Sequence, residues 1–281
     1  MAEVSAKDVA ALRKITGAGM MDCKKALQET AGDMERAKDW LREKGIAGAA
    51  KRAGREADQG SVEVLVSGNV GAIVELNCET DFVAKGDVFK KVVAALTKIV
   101  VEQGEADLGG RTINGETVDD HVKGLSGTLS EKIEVGRVVR FEAGDGLIDG
   151  YKHMQNERGV VGVLVELTGV DAGNAKAREV AHDIALHIAS AAPRFVSRDD
   201  VPADEVARER EVLEKQTAEE GKPEQAWPKI VEGKLNGFFK TVALVEQSFV
   251  KDQKQTIGAL VQGLGGGAAI RRFARVKIGE D

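Results

Sequence analysis

The sequence predicts an α+β fold: an N-terminal three-helix bundle, a duplicated antiparallel-sheet core with covering helices, and a protruding helical hairpin. Three observations predict it. Apolar residues recur at helical spacing over residues 5–45. A seven-residue valine-rich stretch occurs twice, each copy with a strand-like run before it and a helical pattern after it. A charge-rich segment, 202–240, has helical periodicity broken at Lys222-Pro223. At 281 residues the chain can hold two or three small domains with their own cores.

The bundle comes first. Ser5 followed by Asp8 resembles a capping box, Val9, Leu12 and Ile15 recur at helical spacing, and Gly17 stops the helix. A second helix spans Met20 to Thr30 and closes at Gly32. Asp33 caps a third, in which Ala37, Trp40 and Leu41 share a face before Gly45. Residues 46–60 are rich in small and basic side chains and read as a linker, either irregular or partly helical.

The core comes second. Val70-Gly71-Ala72-Ile73-Val74-Glu75-Leu76 matches Val161-Gly162-Val163-Leu164-Val165-Glu166-Leu167 at six of seven positions when Ile and Leu are equated. Val62, Val64 and Val66 mark a strand before the first copy, and Arg137–Glu142 a strand before the second. Helices follow over Asp87–Gln103 and Asn174–Ala191. Two strand-strand-helix units imply two related halves, each a small sheet covered by helix on one face.

The hairpin comes third. Val206 and Leu213 lie seven residues apart on its first arm, and Trp227, Ile230 and Val231 lie on its second. A strand over Thr241–Val250, a helix from Thr256, the glycines 265–267 and a last strand over Ala268–Ile278 complete the chain. The expected division is 1–55 for the head and linker, 56–140 for one core subdomain, 141–201 with 241–281 for the other, and 202–240 for the hairpin insertion.

The two halves differ in one place. After the second copy the turn to the helix is plain, TGVDAGN. After the first it is Asn77-Cys78-Glu79-Thr80-Asp81-Phe82-Val83-Ala84-Lys85-Gly86, with a large aromatic beside a carboxylate. Loops run over the surface and carry function disproportionately, so Thr80-Asp81-Phe82-Val83 is the candidate contact loop. The alternative is that Phe82 folds back onto its own core.

Composition and inventory exclude other classes. A net charge of −6 argues against a nucleic-acid binder. Residues 1–55 hold 12 Lys/Arg against 8 Asp/Glu, a net +4, which leaves −10 for the rest. A basic head suits an acidic partner surface, or is simply a solvated face. The basic cluster Lys51-Arg52-Arg55 is small, and Arg271-Arg272 would alternate faces of a strand. No phosphate loop occurs. Gly263 to Ala268 fits GxGxxA but follows a helix and leads into a strand, the wrong order for a dinucleotide. His182 and His187 point about 140° apart on one helix and cannot share a metal. No catalytic group, metal or cofactor is expected. Cys23 and Cys78 make no disulfide framework, and no secretion signal or membrane span is visible, so a reducing cytoplasm is expected.

Two stretches resemble a known family. Leu12-Arg13-Lys14-Ile15-Thr16-Gly17-Ala18-Gly19-Met20-Met21-Asp22-Cys23-Lys24-Lys25-Ala26-Leu27 resembles the amino-terminal signature of elongation factor Ts, and Glu75 to Ala84 resembles its second signature. The resemblance covers essentially the whole chain. It implies a guanine-nucleotide exchange factor that binds elongation factor Tu, both GDP-bound and nucleotide-free, in a 1:1 or 2:2 complex, without direct contact to nucleic acid or membrane. It implies that the head is like a ubiquitin-associated domain and docks through Arg13, Met20 and Met21. It implies that Asp81 and Phe82 push into the partner near its nucleotide-bound magnesium, and that His153 also touches the partner. Where the family often has an Ile-Gly contact turn, this sequence reads Leu129-Ser130. Some relatives carry a helical tail after the last strand; this sequence ends at Asp281, just past it, and a contact through such a tail is not expected. The rival reading is a non-exchanging scaffold or chaperone-like binder that uses the same loop.

Overall fold

The computed structural model describes residues 4–49, 52–221 and 223–280, so Lys51 of the basic cluster and Lys222 of the hairpin break lie outside the described residues. The chain groups into two units, one drawn from 1–142, 152–162 and 276–281, the other from 143–151 and 163–275.

In the first unit, the Ser5 hydroxyl accepts the Asp8 amide at 3.1 Å and opens α1 (Ala6–Thr16), which Gly17 ends in the left-handed region at φ 75°. α2 (Met20–Glu29) follows. Asp33 then accepts the amides of Glu35 and Arg36 at 3.0 Å each and opens α3 (Met34–Ala49). Leu12, Cys23, Leu27 and Leu41 are the small core of this bundle. Ile15 is exposed, not buried with Val9 and Leu12. Two successive steps of three residues turn it about 120° from Val9, off the apolar stripe. α3 also runs through Gly45, where the sequence suggested a stop.

β1 (Gln59–Ser67) and β2 (Val70–Cys78) form an antiparallel hairpin, with Val62 opposite Glu75 and Val64 opposite Ile73. After α4 (Asp81–Lys85), α5 (Asp87–Gln103) packs Phe89, Val92, Val93, Leu96 and Val100 against Ala72, Val74 and Leu76. β3 (Thr112–Ile113) and β4 (Glu116–Thr117) form a minimal hairpin, and α6 (Val118–Leu129) starts from the Thr117 cap. α6 has no counterpart in the sequence reading, because Gly124 and Gly127 interrupt its helical pattern. Those glycines let α3 approach: a Cβ on Gly127 would lie 1.7 Å from the Cα of Gly45. This contact is why Gly45 sits inside a helix.

β5 (Ile133–Glu142) corrects one expectation. Arg137–Glu142 belongs to it, and it pairs antiparallel with β2 and completes the first sheet, in the order β1-β2-β5. It does not pair with the second copy of the repeat. That copy lies in β7 (Arg158–Thr168), whose hairpin partner is β6 (Leu147–Gln155). Asn156 and Glu157 join them, both at positive φ, 50° and 66°, as a tight hairpin turn demands.

In the second unit the sheet order is β10-β7-β6, with β10 spanning Ala269–Lys277. α7 (Ala175–Ala191) is capped by Asn174, which accepts the Lys176 and Ala177 amides. The repeated glutamates share one device. Glu166 is fully buried and paired with Arg271 at 3.2 Å and Arg272 at 2.6 Å; Glu75, 4% exposed, is paired with Arg137 at 2.8 Å. In each copy an arginine of the neighbouring strand compensates a buried carboxylate. Arg271 and Arg272, which strand alternation would place on opposite faces, both reach the same Glu166 carboxylate while staying partly exposed.

α8 (Ala203–Glu219) and α9 (Trp227–Val242) form the hairpin, closed by Leu213, Val231, Leu235, Phe239 and Val242. α9 takes Thr241 and Val242, and the expected strand shrinks to β8 (Ser248–Phe249), paired with β9 (Asp252–Thr256). α10 (Ile257–Gln262) starts at Thr256 as expected, and Gly265, Gly266 and Gly267 all take positive φ before β10. His182 bonds Asp149, whereas buried His187 bonds Gln247, so the two histidines serve different neighbours. Among the described residues no group of three His, Cys, Asp or Glu could hold a metal, and no helix is long and apolar enough to cross a membrane.

Candidate functional site

The segment that distinguishes the two halves is a single helical turn, α4, and not an open loop. Thr80 is its N-cap, with extended backbone at φ −126° and its hydroxyl accepting the Val83 amide at 3.4 Å. Gly86 ends α4 and begins α5. The turn has two faces. Ala84 is fully buried and Val83 packs partly on the core of the first sheet. Phe82, one step away, points out of that face and is 83% exposed. The alternative in which Phe82 folds onto its own core is excluded.

Asp81 is ionised and held. The Lys85 ammonium, four residues on, hydrogen-bonds its carboxylate and holds its pKa below the usual carboxylate range; the Lys85 and Arg158 charges act in the same sense. Lys85 also lies 5.9 Å from the Phe82 ring centroid. Because the folded pKa is depressed, the Asp81–Lys85 contribution is present above the ordinary carboxylate pKa of about 3.9 and is lost as pH falls through the lower folded value. Lys85→Ala is expected to move the Asp81 carboxyl titration upward in a carbon-detected NMR experiment; an unmoved titration would exclude Lys85 as its main partner.

Under the turn, Cys78 is buried with its Sγ 3.1 Å from the Thr80 carbonyl oxygen. Burial, and next the Glu131 charge, push its thiol up to about 12, so it stays neutral and acts as a small apolar side chain.

Two segments far away in sequence fix the base of the turn. The Glu131 carboxylate accepts the Glu79 amide at 3.1 Å, the Thr80 amide at 2.9 Å and the Thr80 hydroxyl at 2.5 Å. In the other direction, the Glu79 carboxylate accepts the Lys132 amide at 2.5 Å and Arg55 at 3.0 Å. The Lys132 amide is the main reason the Glu79 carboxyl is held below its usual range.

The head presents Arg13, Met20 and Met21 at the surface, the methionines 52% and 74% exposed. That decides between outward and bundle packing for both. Leu129 ends α6 and Ser130 caps it in the left-handed region at φ 61°. Leu129 closes against the head, since a Cβ on Gly17 would meet its Cδ2 at 3.0 Å. A cavity of about 250 Å³, lined by Asp22, Lys44, Arg52, Thr128 and Ser130, lies at the same junction. The 129–130 turn thus meets the head, and the next residues, Glu131 and Lys132, hold the base of α4. His153 sits on a different element: it is exposed on β6, next to Lys152, whose ammonium pairs with Glu63 of β1 at 2.5 Å. Lys85, Arg158, Glu79 and Glu131 were not singled out from sequence. Only Lys85 carried a local signal, its i, i+4 spacing from Asp81.

Family models match at both ends of the chain. The model described as elongation factor TS covers residues 79–280, and the one described as elongation factor Ts, mitochondrial, N-terminal covers residues 1–49. Among curated relatives, elongation factor Ts of Thermobifida fusca is 46% identical over 287 residues, covering 100% of both chains. That of Micrococcus luteus is 45% identical over 284 residues, covering 99% of this chain and 100% of its own. That of Symbiobacterium thermophilum is 43% identical, covering 100% of this chain and 93% of its own. The chain belongs to the elongation factor Ts family, the non-catalytic nucleotide exchange factors of elongation factor Tu.

Proposed function

We propose that this chain accelerates GDP release by placing Phe82 and Asp81 of α4 against the magnesium and nucleotide site of elongation factor Tu, so that GTP can bind. The observation that carries the reading is the exposure of Phe82, 83%, on a turn whose other face is buried and whose base is clamped. An aromatic held outward on a rigid base gains its burial only against a partner.

Magnesium demands near-ideal octahedral geometry and keeps several waters, so a small displacement of the surrounding loops costs much of its binding. Phe82 acts as the wedge. Asp81 competes for the waters and donors that order the metal. Thr80 caps the turn and Val83 anchors it. Coupling is reciprocal: whatever factor this chain takes from GDP affinity, GDP takes from its own. Arg13, Met20 and Met21 of the head dock on the partner, methionine suiting an irregular apolar surface. Leu129, Ser130 and His153 extend the contact. Two buried cysteines without a disulfide suit a reducing cytoplasm.

Fluorescent-GDP dissociation from elongation factor Tu, measured against concentration of this chain, tests the reading. Phe82→Ala should lower the plateau rate. Met21→Ala should leave the plateau and raise the half-saturating concentration roughly threefold to tenfold, because it removes part of one buried side chain in docking. A lowered plateau with Met21→Ala, or an unchanged one with Phe82→Ala, would reverse these roles.

A further inference from the structure

We infer that Glu131 is a positioning residue for exchange: its carboxylate holds the α4 turn, and through it Phe82, in register with the head. The inference rests on the wedge reading of Phe82. Three donors converge on this one side chain, the amides of Glu79 and Thr80 and the Thr80 hydroxyl, at 3.1, 2.9 and 2.5 Å. A charged acceptor with several donors is geometrically stiff, and each bond is stronger than a neutral one. Thr80 is itself the cap of α4, so the hydroxyl that orients the turn is oriented by Glu131.

Glu131 is in turn held from behind. Its backbone carbonyl accepts the Ser126 hydroxyl at 2.5 Å, which ties it to α6. Lys132, the next residue, donates its amide to Glu79, so the two segments are strapped in both directions. Two residues before Glu131, Leu129 sits against the head at Gly17. One short segment, 129–132, therefore touches the head at one end and sets the turn at the other. A head docked through its methionines and a turn aimed at the nucleotide site need a fixed mutual distance, and misplacement by about 1 Å costs a large part of a rate.

The experiment is a double-mutant cycle in the GDP-release assay with the full chain and elongation factor Tu. Glu131→Met keeps the length but removes both acceptor oxygens, so the Glu79 and Thr80 amides and the Thr80 hydroxyl all lose their partner. In the Phe82 background it should lower the plateau on the order of tenfold, with the half-saturating concentration within about twofold of the parent, since the head is untouched. In the Phe82→Ala background the same change should cost almost nothing further, because there is no wedge left to aim. Native-state hydrogen exchange of the free variant should show the Thr80 amide opening on the order of tenfold faster, with the α5 amides unchanged. A parent-like plateau, a full additional loss in the Phe82→Ala background, or an unchanged Thr80 amide overturns the inference. An unchanged plateau in Phe82→Ala alone is a different failure: it removes the wedge reading itself and the inference with it.

Discussion

Phe82→Ala is expected to slow GDP release from elongation factor Tu by roughly tenfold to a hundredfold at saturating concentrations of this chain, with thermal unfolding of the free chain unchanged. The magnitude follows from burial. Enclosing a phenylalanine side chain yields about 1.5–3 kcal/mol, and each 1.4 kcal/mol is about tenfold in an equilibrium or rate. The lack of a folding effect follows from exposure. At 83% exposed, the ring makes few contacts that truncation could remove. Phe89, seven residues on and fully buried in the same core, supplies the contrast: Phe89→Ala is a cavity mutation and acts on stability. The two variants together separate a folding defect from an exchange defect. A parent-like plateau with a folded Phe82→Ala chain would leave the wedge without support.

Gly127→Ala should have the second large effect, and it runs against ordinary propensity. In a helix interior alanine is favoured over glycine by about 1 kcal/mol. Here the new Cβ would sit 1.7 Å from the Cα, 2.3 Å from the carbonyl carbon and 2.5 Å from the oxygen of Gly45. These are backbone atoms of α3, so no rotamer change relieves the clash; the helices must separate. Overpacking of this kind costs about 1–3 kcal/mol, occasionally more, which outweighs the propensity gain. Calorimetry should show a melting temperature lower by about 2–4 °C for each kcal/mol lost. In the exchange assay the half-saturating concentration should rise, because α3 carries the head and the head carries Met20 and Met21. Gly233→Ala on α9 is the control. Nothing lies within 4 Å of its Cβ, so the same substitution there should be neutral or slightly stabilising. A stabilised Gly127→Ala chain would mean that α3 and α6 are free to part.

Much of the candidate site was legible along the chain because its signals are local. Thr80 caps the turn two residues before Phe82, and the anomaly of 77–86 stands out against its plain counterpart after the second copy. The exposure of Phe82 and of the methionines was left as one of two readings, since an aromatic beside a carboxylate has the same local pattern whether it turns in or out. Glu131 was invisible. It is 51 residues from Thr80, and a glutamate that orients a distant turn looks like any other glutamate on a charged surface. β5 was misassigned for a related reason. Its alternation shows a strand, but nothing in that period names the strand beside it, and β2 had an unpaired edge that 133–142 fills.

The order of residues alone carried the α+β class, the caps at Ser5 and Asp33, the duplicated strand, helices near 87–103 and 174–191, and the family. Each of these depends on hydrogen bonds or side-chain periodicity within a few residues, which the order of amino acids carries directly. The tertiary structure decided the rest. It chose the sheet that β5 joins, buried Glu75 and Glu166 beside their arginines, brought Gly45 against Gly127, and closed Glu131 over the base of α4. These are pairings between segments 51 to 106 residues apart or across a helix crossing, and they exist only once chain closure has set the distances. The outward aim of Phe82 belongs to the second group: its neighbours Val83 and Ala84 had to find the core before the ring could be left facing the partner.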